Sequence, residues 1–207
     1  MKKLFSLFIA ACLFSLQACA VEQWKEGEHY EIIADKATDA PVVTEFFSFW
    51  CPHCFQFEPI VGDIKKALPE DVKFDKVHVN FMGFTSKEIQ DSVTRAMIIG
   101  RELNKEEAIN TAIFQFIHIQ RGNITRFEDL RGSFIVNGVE EAELEKLAKS
   151  FSVNSKILQN NKKVDQFKRN LQGVPTFIVN GKYKAKFTRD MTPDDFVELI
   201  VWLTKLS

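Results

Sequence analysis

The chain has 207 residues, of which 45% are hydrophobic and 27% charged, and its formal net charge is −1 at pH 7. This length is sufficient for one domain, or for one domain that carries an insertion. The nearly balanced charge does not favour nucleic acid or an anionic membrane surface as the main partner.

The N-terminus has the pattern of a secretory leader. Two lysines precede the apolar run 4–16, and Ala18-Cys19-Ala20 supplies the small residues that suit cleavage after Ala20. The run is too short for a lasting membrane span. Residues 16–19 also resemble a lipobox, which would leave Cys19 lipidated at the new N-terminus. We expect ordinary cleavage, and an exported protein.

Removal of this leader changes the cysteine count. Four cysteines are present in the full chain, and the leader contains Cys12 and Cys19. The two that remain are Cys51 and Cys54, which form a Cys-x-x-Cys pair. Because an exported protein with this pair alone has no other disulfide, the pair is not one structural bridge among several. The cysteine pattern therefore favours redox chemistry.

A structural disulfide and a zinc site are the alternatives for this pair. Closing so short a loop would stabilise the fold by only ~2 kcal/mol in the chain-entropy description, which is less than a longer loop gives. Tetrahedral zinc needs four ligands, and no second cysteine pair follows the leader. We expect no metal, and no cofactor other than the redox-active Cys51–Cys54 disulfide.

The elements around the pair follow from the hydrophobic pattern. Residues 29–33 predict an edge strand, and the apolar run from Val42 predicts a buried strand that ends at Trp50. An amphipathic helix is predicted to begin at Pro52, and Pro59 inside it should produce a kink.

Cys51 therefore falls at a junction between a strand and a helix. Pro52 suits the first helical position because it has no N–H to leave unpaired and its φ is already helical. A thiol at this junction faces unpaired N–H groups and the positive end of the helix dipole, which favour thiolate over thiol. An imidazole at His53 can donate to that thiolate or pair with its charge.

The middle of the chain is predicted to be one strand and then helices only. The strand covers residues 72–81, with Lys76 and His78 on the same face. Capping boxes predict that three of the helices begin at Thr85, Asn104 and Thr125. We assign no chemistry to His78, and none to the two histidines at positions 29 and 118.

Strand patterns return near the C-terminus. Residues 175–179 and 182–187 are predicted to form a hairpin, because Asn180-Gly181 between them is a strong turn signal. A last helix should be capped by Thr192 and begin at Pro193.

The sequence resembles a known family, the DsbA-type thiol oxidases of the Gram-negative periplasm. The resemblance covers essentially the whole chain after the leader and is densest in residues 45–54, 78–83 and 173–176. It implies an α/β fold, a thioredoxin fold with an inserted all-helical domain.

Domain boundaries follow from the resemblance and the element order together. Residues 1–20 are the expected signal peptide. Residues 21–82 and 172–207 are expected to form a discontinuous thioredoxin-like domain, and residues 83–171 the helical insertion domain.

The resemblance also assigns roles in the redox motif. Cys51 matches the exposed, nucleophilic cysteine, and Cys54 matches its buried partner. His53 matches the histidine that stabilises the Cys51 thiolate, and Pro52 completes the dipeptide between the sulfurs.

Four residues outside the motif are also implicated by the resemblance. Pro175 matches a cis-proline that faces the disulfide, and Val174 the residue whose backbone pairs with an extended substrate peptide. Glu45 and Lys76 match a buried acid and base beneath the site. Burying an unpaired carboxylate is expensive, so Glu45 is expected to pair with Lys76 or to be protonated. Whether this is a structural ion pair or a proton acceptor for Cys54 stays open.

The expected activity is donation of the disulfide to newly exported proteins with free cysteines. The resemblance implies a periplasmic location and re-oxidation by a DsbB-like, quinone-linked membrane protein, and we expect a monomer. A disulfide isomerase or reductase would use the same cysteines at a less oxidising potential. A peptide-binding chaperone would use the groove beside Pro175 and survive the loss of both cysteines.

Overall fold

A computed structural model describes residues 23–206, so the predicted leader, its cleavage site and Cys19 lie outside the described residues. No helix within that range is long and apolar enough to cross a membrane. The centre of the fold is a five-stranded sheet. Its strands are β1 (Tyr30–Ile32), β2 (Val42–Phe47), β3 (Lys73–His78), β4 (Thr176–Val179) and β5 (Tyr183–Ala185).

The sheet is mixed, with the strand order β1-β5-β4-β2-β3. β2 and β3 are parallel, whereas the other neighbours are antiparallel. Asn180 and Gly181 join β4 to β5 with φ values of 52° and 64°, the left-handed conformations that a tight hairpin turn needs. The predicted hairpin is therefore confirmed.

β2 is the buried strand that the apolar run predicted, but it ends three residues early. It lies between β3 and β4, and its residues from Val43 to Phe47 are buried. The predicted end at Trp50 is wrong because the chain turns at Ser48, whose hydroxyl accepts the Trp50 N–H at 3.2 Å. This turn points the next residues out of the sheet.

Seven α-helices occur in the described part of the chain, and two of them begin as predicted, at Pro52 and Pro193. The Thr192 side chain caps the last one by accepting the Asp195 N–H. The helices are α1 (Pro52–Ala67), α2 (Lys87–Glu102), α3 (Glu106–His118), α4 (Arg131–Ile135), α5 (Glu141–Ala148), α6 (Phe151–Phe167) and α7 (Pro193–Leu203).

The predicted capping boxes were less accurate. α2 is capped by Ser86, which accepts the Ile89 N–H, and not by Thr85. α3 begins without a side-chain cap, after Asn104 in a left-handed conformation. At the third predicted helix start, the N–H of Thr125 donates to the Asp129 carboxylate at 2.8 Å. Ser, Thr and Asp are interchangeable as caps, so the spacing alone shifts a boundary by a residue or two.

Two apolar cores position the site. On one face of the sheet, α1 and α7 bury Val61, Ile64 and Phe196 against Val43 and Phe177. A second core lies inside the helical segment, and it continues without a break to Phe47, Phe49 and both cysteines. The redox motif therefore lies where the helical segment meets the end of β2.

Candidate active site

Cys51 lies at the N-terminal cap of α1. Its backbone is extended, with φ −87° and ψ 114°, and Pro52 begins the helix directly after it. The Cys51 N–H donates to the Ser48 carbonyl at 3.0 Å, which closes the turn after β2. The predicted junction between strand and helix is confirmed, and it directs the open end of the helix at the sulfur.

The Cys51 sulfur is held by donors from both sides. It accepts the backbone N–H of Cys54 at 3.2 Å. A hydrogen bond from the Cys54 thiol, followed by backbone N–H groups of Cys54 and His53 and the charge of His53, lowers the pKa of Cys51 from 9.0 to about 6, although burial opposes this shift. At pH 7 such a thiol is roughly 90% ionised.

Cys54 has the opposite environment. Its residue is fully buried, and burial together with the hydrogen bond to Cys51 raises its pKa far above the ordinary value. Only Cys51 is therefore a thiolate near neutral pH. Both cysteines are in the reduced, unbridged form.

Cys51 is more covered than the resemblance implied. Only 5% of its surface is exposed, so the expectation of an exposed cysteine is wrong. The cover comes from the loop before β4, where the Val174 carbonyl lies 3.3 Å from the Cys51 sulfur and accepts from it when the thiol is protonated. The Val174–Pro175 peptide bond is cis, as expected.

A groove of about 700 Å³ opens beside this loop. Phe57 on α1 and three other phenylalanines line it, together with the exposed His53 side chain. The lining includes His53, Phe57, Val174, Pro175, Phe177, Phe187 and Phe196. Such an apolar trough next to a backbone edge suits an extended peptide.

Beneath the cysteines lies a buried cluster of charges. Lys76 donates to Glu45 at 2.7 Å, as expected, and also to Glu58 at 2.6 Å. The side chains of Glu45 and Lys76 are 0% and 2% exposed, and that of Glu58 is 25% exposed. The second carboxylate was not anticipated, although Glu58 follows Cys54 by four residues and so had to share its helix face.

The protonation of this cluster follows from its geometry. Burial raises the pKa of Glu45, against the lowering effect of Lys76. Burial also lowers the pKa of Lys76, but its two carboxylates outweigh that effect and leave it above the ordinary value. Glu45 Oε1 has no hydrogen-bond partner among the described residues. Lys76 is therefore charged, and the Glu45 carboxyl holds a proton more readily than an ordinary glutamate does.

Two histidines for which the sequence predicts no chemistry contact the residues just before the redox motif. His78 is fully buried, touches the rings of Phe49 and Trp50, and has its pKa lowered by burial to about 3, so it is neutral. His118, on α3, contacts the Phe49 carbonyl at 2.8 Å through Nε2. Nothing in the local sequence indicated this contact, because it joins residues far apart in the chain.

Within residues 23–206 no group of three or more His, Cys, Asp or Glu side chains is arranged to hold a metal ion. The arrangement at the end of β2 supplies two sulfurs with very different acidities. In such a pair, one sulfur can form a mixed disulfide with another molecule while the other sulfur is released as a thiol.

Comparison with known proteins places this geometry in a family. Residues 42–199 match the model of the DSBA-like thioredoxin domain. Over 187 residues the chain is 35% identical to the thiol:disulfide interchange protein DsbA of Escherichia coli K12, covering 89% of this chain and 86% of that protein. Its identity to DsbA of Haemophilus influenzae is 34% over 184 residues, with coverages of 87% and 85%.

Solved structures agree with the sequence comparison. The disulfide oxidoreductase DsbA from Proteus mirabilis has a TM-score of 0.76 and 30% identity, over 87% of this chain and 97% of that chain. DsbA from Klebsiella pneumoniae has a TM-score of 0.77 over 88% and 98% of the two chains, and at 24% identity it shows the fold alone. The predicted α/β thioredoxin fold with a helical insertion is confirmed.

Proposed function

This chain belongs to the DsbA family of thiol:disulfide oxidoreductases, and on that basis we propose that it is a dithiol oxidase of exported proteins in the periplasm. The observation that carries the direction of the reaction is the contrast between the two sulfurs, with the pKa of Cys51 at about 6 and that of Cys54 raised. Stabilising the Cys51 thiolate stabilises the reduced form, and this makes the disulfide a stronger oxidant.

In the first step a substrate thiolate attacks the Cys51 sulfur of the Cys51–Cys54 disulfide. A bond forms between the substrate sulfur and Cys51, the bond to Cys54 breaks, and Cys54 leaves with the electron pair. Because burial makes a thiolate at Cys54 costly, this sulfur takes up a proton. Glu45 is the proposed proton store, since it is buried beside Lys76 with one free oxygen.

In the second step a second thiolate of the substrate attacks the substrate sulfur of the mixed disulfide. The new bond is the substrate's disulfide, and Cys51 leaves as a thiolate. The protein has then gained two electrons, and it gains one proton when solvent protonates Glu45 again. The two substrate thiolates have been oxidised to a disulfide. A thiol with a low pKa leaves faster, so the N–H donors at Cys51 favour this step as well as the equilibrium.

The substrate is an extended peptide in this proposal. Its backbone pairs with that of Val174, before the cis-Pro175 bond, and its side chains enter the apolar groove lined by Phe57 and Phe177. One solved structure of Proteus mirabilis DsbA contains the non-covalently bound peptide PWATCDS, which includes a cysteine. Displacing the Val174 carbonyl from the sulfur opens the route to Cys51.

The reduced protein must be oxidised again after each turnover. We assign this step to a DsbB-like, quinone-linked membrane protein, which the resemblance to the family implies. This partner would enter the same groove. Purified Cys51→Ser protein should lose the ability to accept electrons from the substrate and to pass them to such a partner.

The deciding experiment is the equilibrium reduction potential of the Cys51–Cys54 pair in defined glutathione buffers, with alkylation to trap each state. We expect a potential well above that of glutathione. A potential near or below it would replace the oxidase with an isomerase or reductase. Activity that survives in Cys51→Ser protein would instead indicate a peptide-binding chaperone.

A further inference from the structure

The turn between β2 and α1, residues 48–51, is tied down by three hydrogen bonds. Two are local, because the N–H groups of Trp50 and Cys51 both donate to Ser48, at 3.2 Å and 3.0 Å. The third comes from the helical segment, where His118 Nε2 lies 2.8 Å from the Phe49 carbonyl oxygen. Since a carbonyl only accepts, this ring nitrogen carries a proton and donates it.

The ring of His118 is also fixed by packing. It lies parallel to the Phe55 ring, with centroids 5.1 Å apart and planes 6° apart. One turn earlier on α3, Phe114 contacts Phe49 at 4.8 Å and Phe55 at 5.6 Å. A single face of α3 therefore holds the residues on both sides of the Cys51–Cys54 motif.

The Phe49 carbonyl would have to find another hydrogen-bond donor if the N–H of His118 were lost. Phe49 is fully buried, and the half-buried His118 side chain supplies the donor to its carbonyl. A buried carbonyl without a donor is costly, and the turn would move to find another one. Cys51 is two residues away, and its sulfur needs the Cys54 N–H at 3.2 Å to stay ionised. A shift of the turn would misalign this hydrogen bond, and hydrogen bonds weaken steeply as their angle departs from linear.

We propose that His118 is a positioning residue, which holds the Phe49 carbonyl and thereby keeps the Cys51 sulfur aligned with the N–H groups that stabilise its thiolate. The helical segment thus sets the oxidising strength of the disulfide through one side chain. This inference rests on the proposed oxidase function, and it adds a residue that does not itself touch the reacting sulfurs.

The test compares three variants with the unchanged protein. His118→Leu removes the donor and the stacked ring, and His118→Phe removes the donor but keeps a ring. His118→Gln keeps an N–H of similar reach. Gln115→Leu is the matched control, because Gln115 is an exposed residue of the same helix.

Each protein is analysed by thiolate titration of Cys51 and by its equilibrium constant with glutathione. We expect His118→Leu and His118→Phe to raise the pKa of Cys51 and to weaken the oxidising equilibrium by about tenfold, which is the loss expected if the displaced turn breaks the hydrogen bond from the Cys54 N–H to the thiolate. His118→Gln should stay within about twofold, and Gln115→Leu should not differ from the unchanged protein.

A merely structural role gives a different pattern. Denaturant unfolding of the oxidised and the reduced forms should show that His118→Phe destabilises the reduced form more, because only that form contains the thiolate. Equal destabilisation of both forms, with the pKa and the equilibrium constant unchanged, would overturn the proposal. If His118→Leu does not fold, the contrast between His118→Phe and His118→Gln decides.

The outcomes also separate this inference from the proposed function. A weak oxidising potential in the unchanged protein would reject the oxidase function. A strong potential that no substitution at His118 changes would reject the positioning role alone.

Discussion

Cys51 and Cys54 lie one helical turn apart, yet the regions around them differ in almost every respect. The upper region, which holds Cys51, consists of backbone N–H groups, the Val174 carbonyl and an apolar groove. The lower region, which holds Cys54, is buried above the charges of Glu45 and Lys76. The difference shows that the surroundings of each sulfur decide which cysteine is ionised: Cys51 accepts hydrogen bonds from the Cys54 thiol and the N–H groups at the helix end, whereas Cys54 is buried.

The largest expected effect comes from replacing each of the two cysteines, in turn, by serine. Cys54→Ser should keep a reactive Cys51 thiolate, which attacks the disulfide of an oxidised substrate and releases a substrate thiolate. The mixed disulfide should then accumulate, because no Cys54 thiol is present to resolve it. Cys51→Ser should leave a sulfur that does not react near neutral pH. Alkylation rates and mass spectrometry of trapped adducts measure both. Rapid alkylation of Cys54 in Cys51→Ser protein would contradict the distinction between the regions.

The next effect concerns the charges of the lower region. Lys76→Met removes the cation between two carboxylates and leaves the fully buried Glu45 without its partner. Breaking a buried ion pair on one side costs about 3–5 kcal/mol, so we expect a loss of that order in the free energy of unfolding. Denaturant unfolding measures it, with Lys73→Met, at an exposed residue of the same strand, as the control. Equal losses in the two variants would show that the cluster has no special role.

The pH dependence of stability isolates the upper region. The pKa of Cys51 is lowered from 9.0 to about 6, so its thiolate stabilises the folded reduced protein fully above pH 9, by about 4 kcal/mol at most. This contribution is lost as the pH falls through about 6. The oxidised protein has no Cys51 thiol and serves as the control. The unfolding free energy of the reduced form should therefore fall relative to that of the oxidised form as the pH falls from 9 to about 6, and a constant difference would contradict the assignment.

A smaller effect is expected at His53. Its backbone N–H contributes to the lowered pKa of Cys51 ahead of its charge, and the backbone remains in any variant. His53→Leu should therefore raise the pKa of Cys51 by about one unit or less. Gln56→Leu, at an exposed residue of the same helix, is the control in the same titration. A rise to the ordinary thiol value would mean that the side chain, and not the helix end, stabilises the thiolate.

The sequence predicted best what depends on neighbouring residues. The helix starts at Pro52 and Pro193 and the hairpin at Asn180 follow from local backbone preferences, and the structure confirms them. The early end of β2 was missed because the Ser48 hydroxyl turns the chain, and serine has no distinctive pattern there.

The candidate site was predicted least well where distant segments meet. The coverage of Cys51 depends on Val174, and the contact of His118 with Phe49 depends on the packing of the helical segment. Neither has a sequence signal. Glu58 was different, because its spacing from Cys54 placed it on the buried side of α1, where a charge needs a partner.

The most direct test of the account is an ultraviolet titration of the thiolates in the reduced protein, with alkylation to identify the sulfur that ionises. We expect one group, Cys51, to ionise near pH 6, while Cys54 remains protonated above pH 9. Joint ionisation of both sulfurs near pH 9 would contradict the account, because the two regions would then treat their cysteines alike.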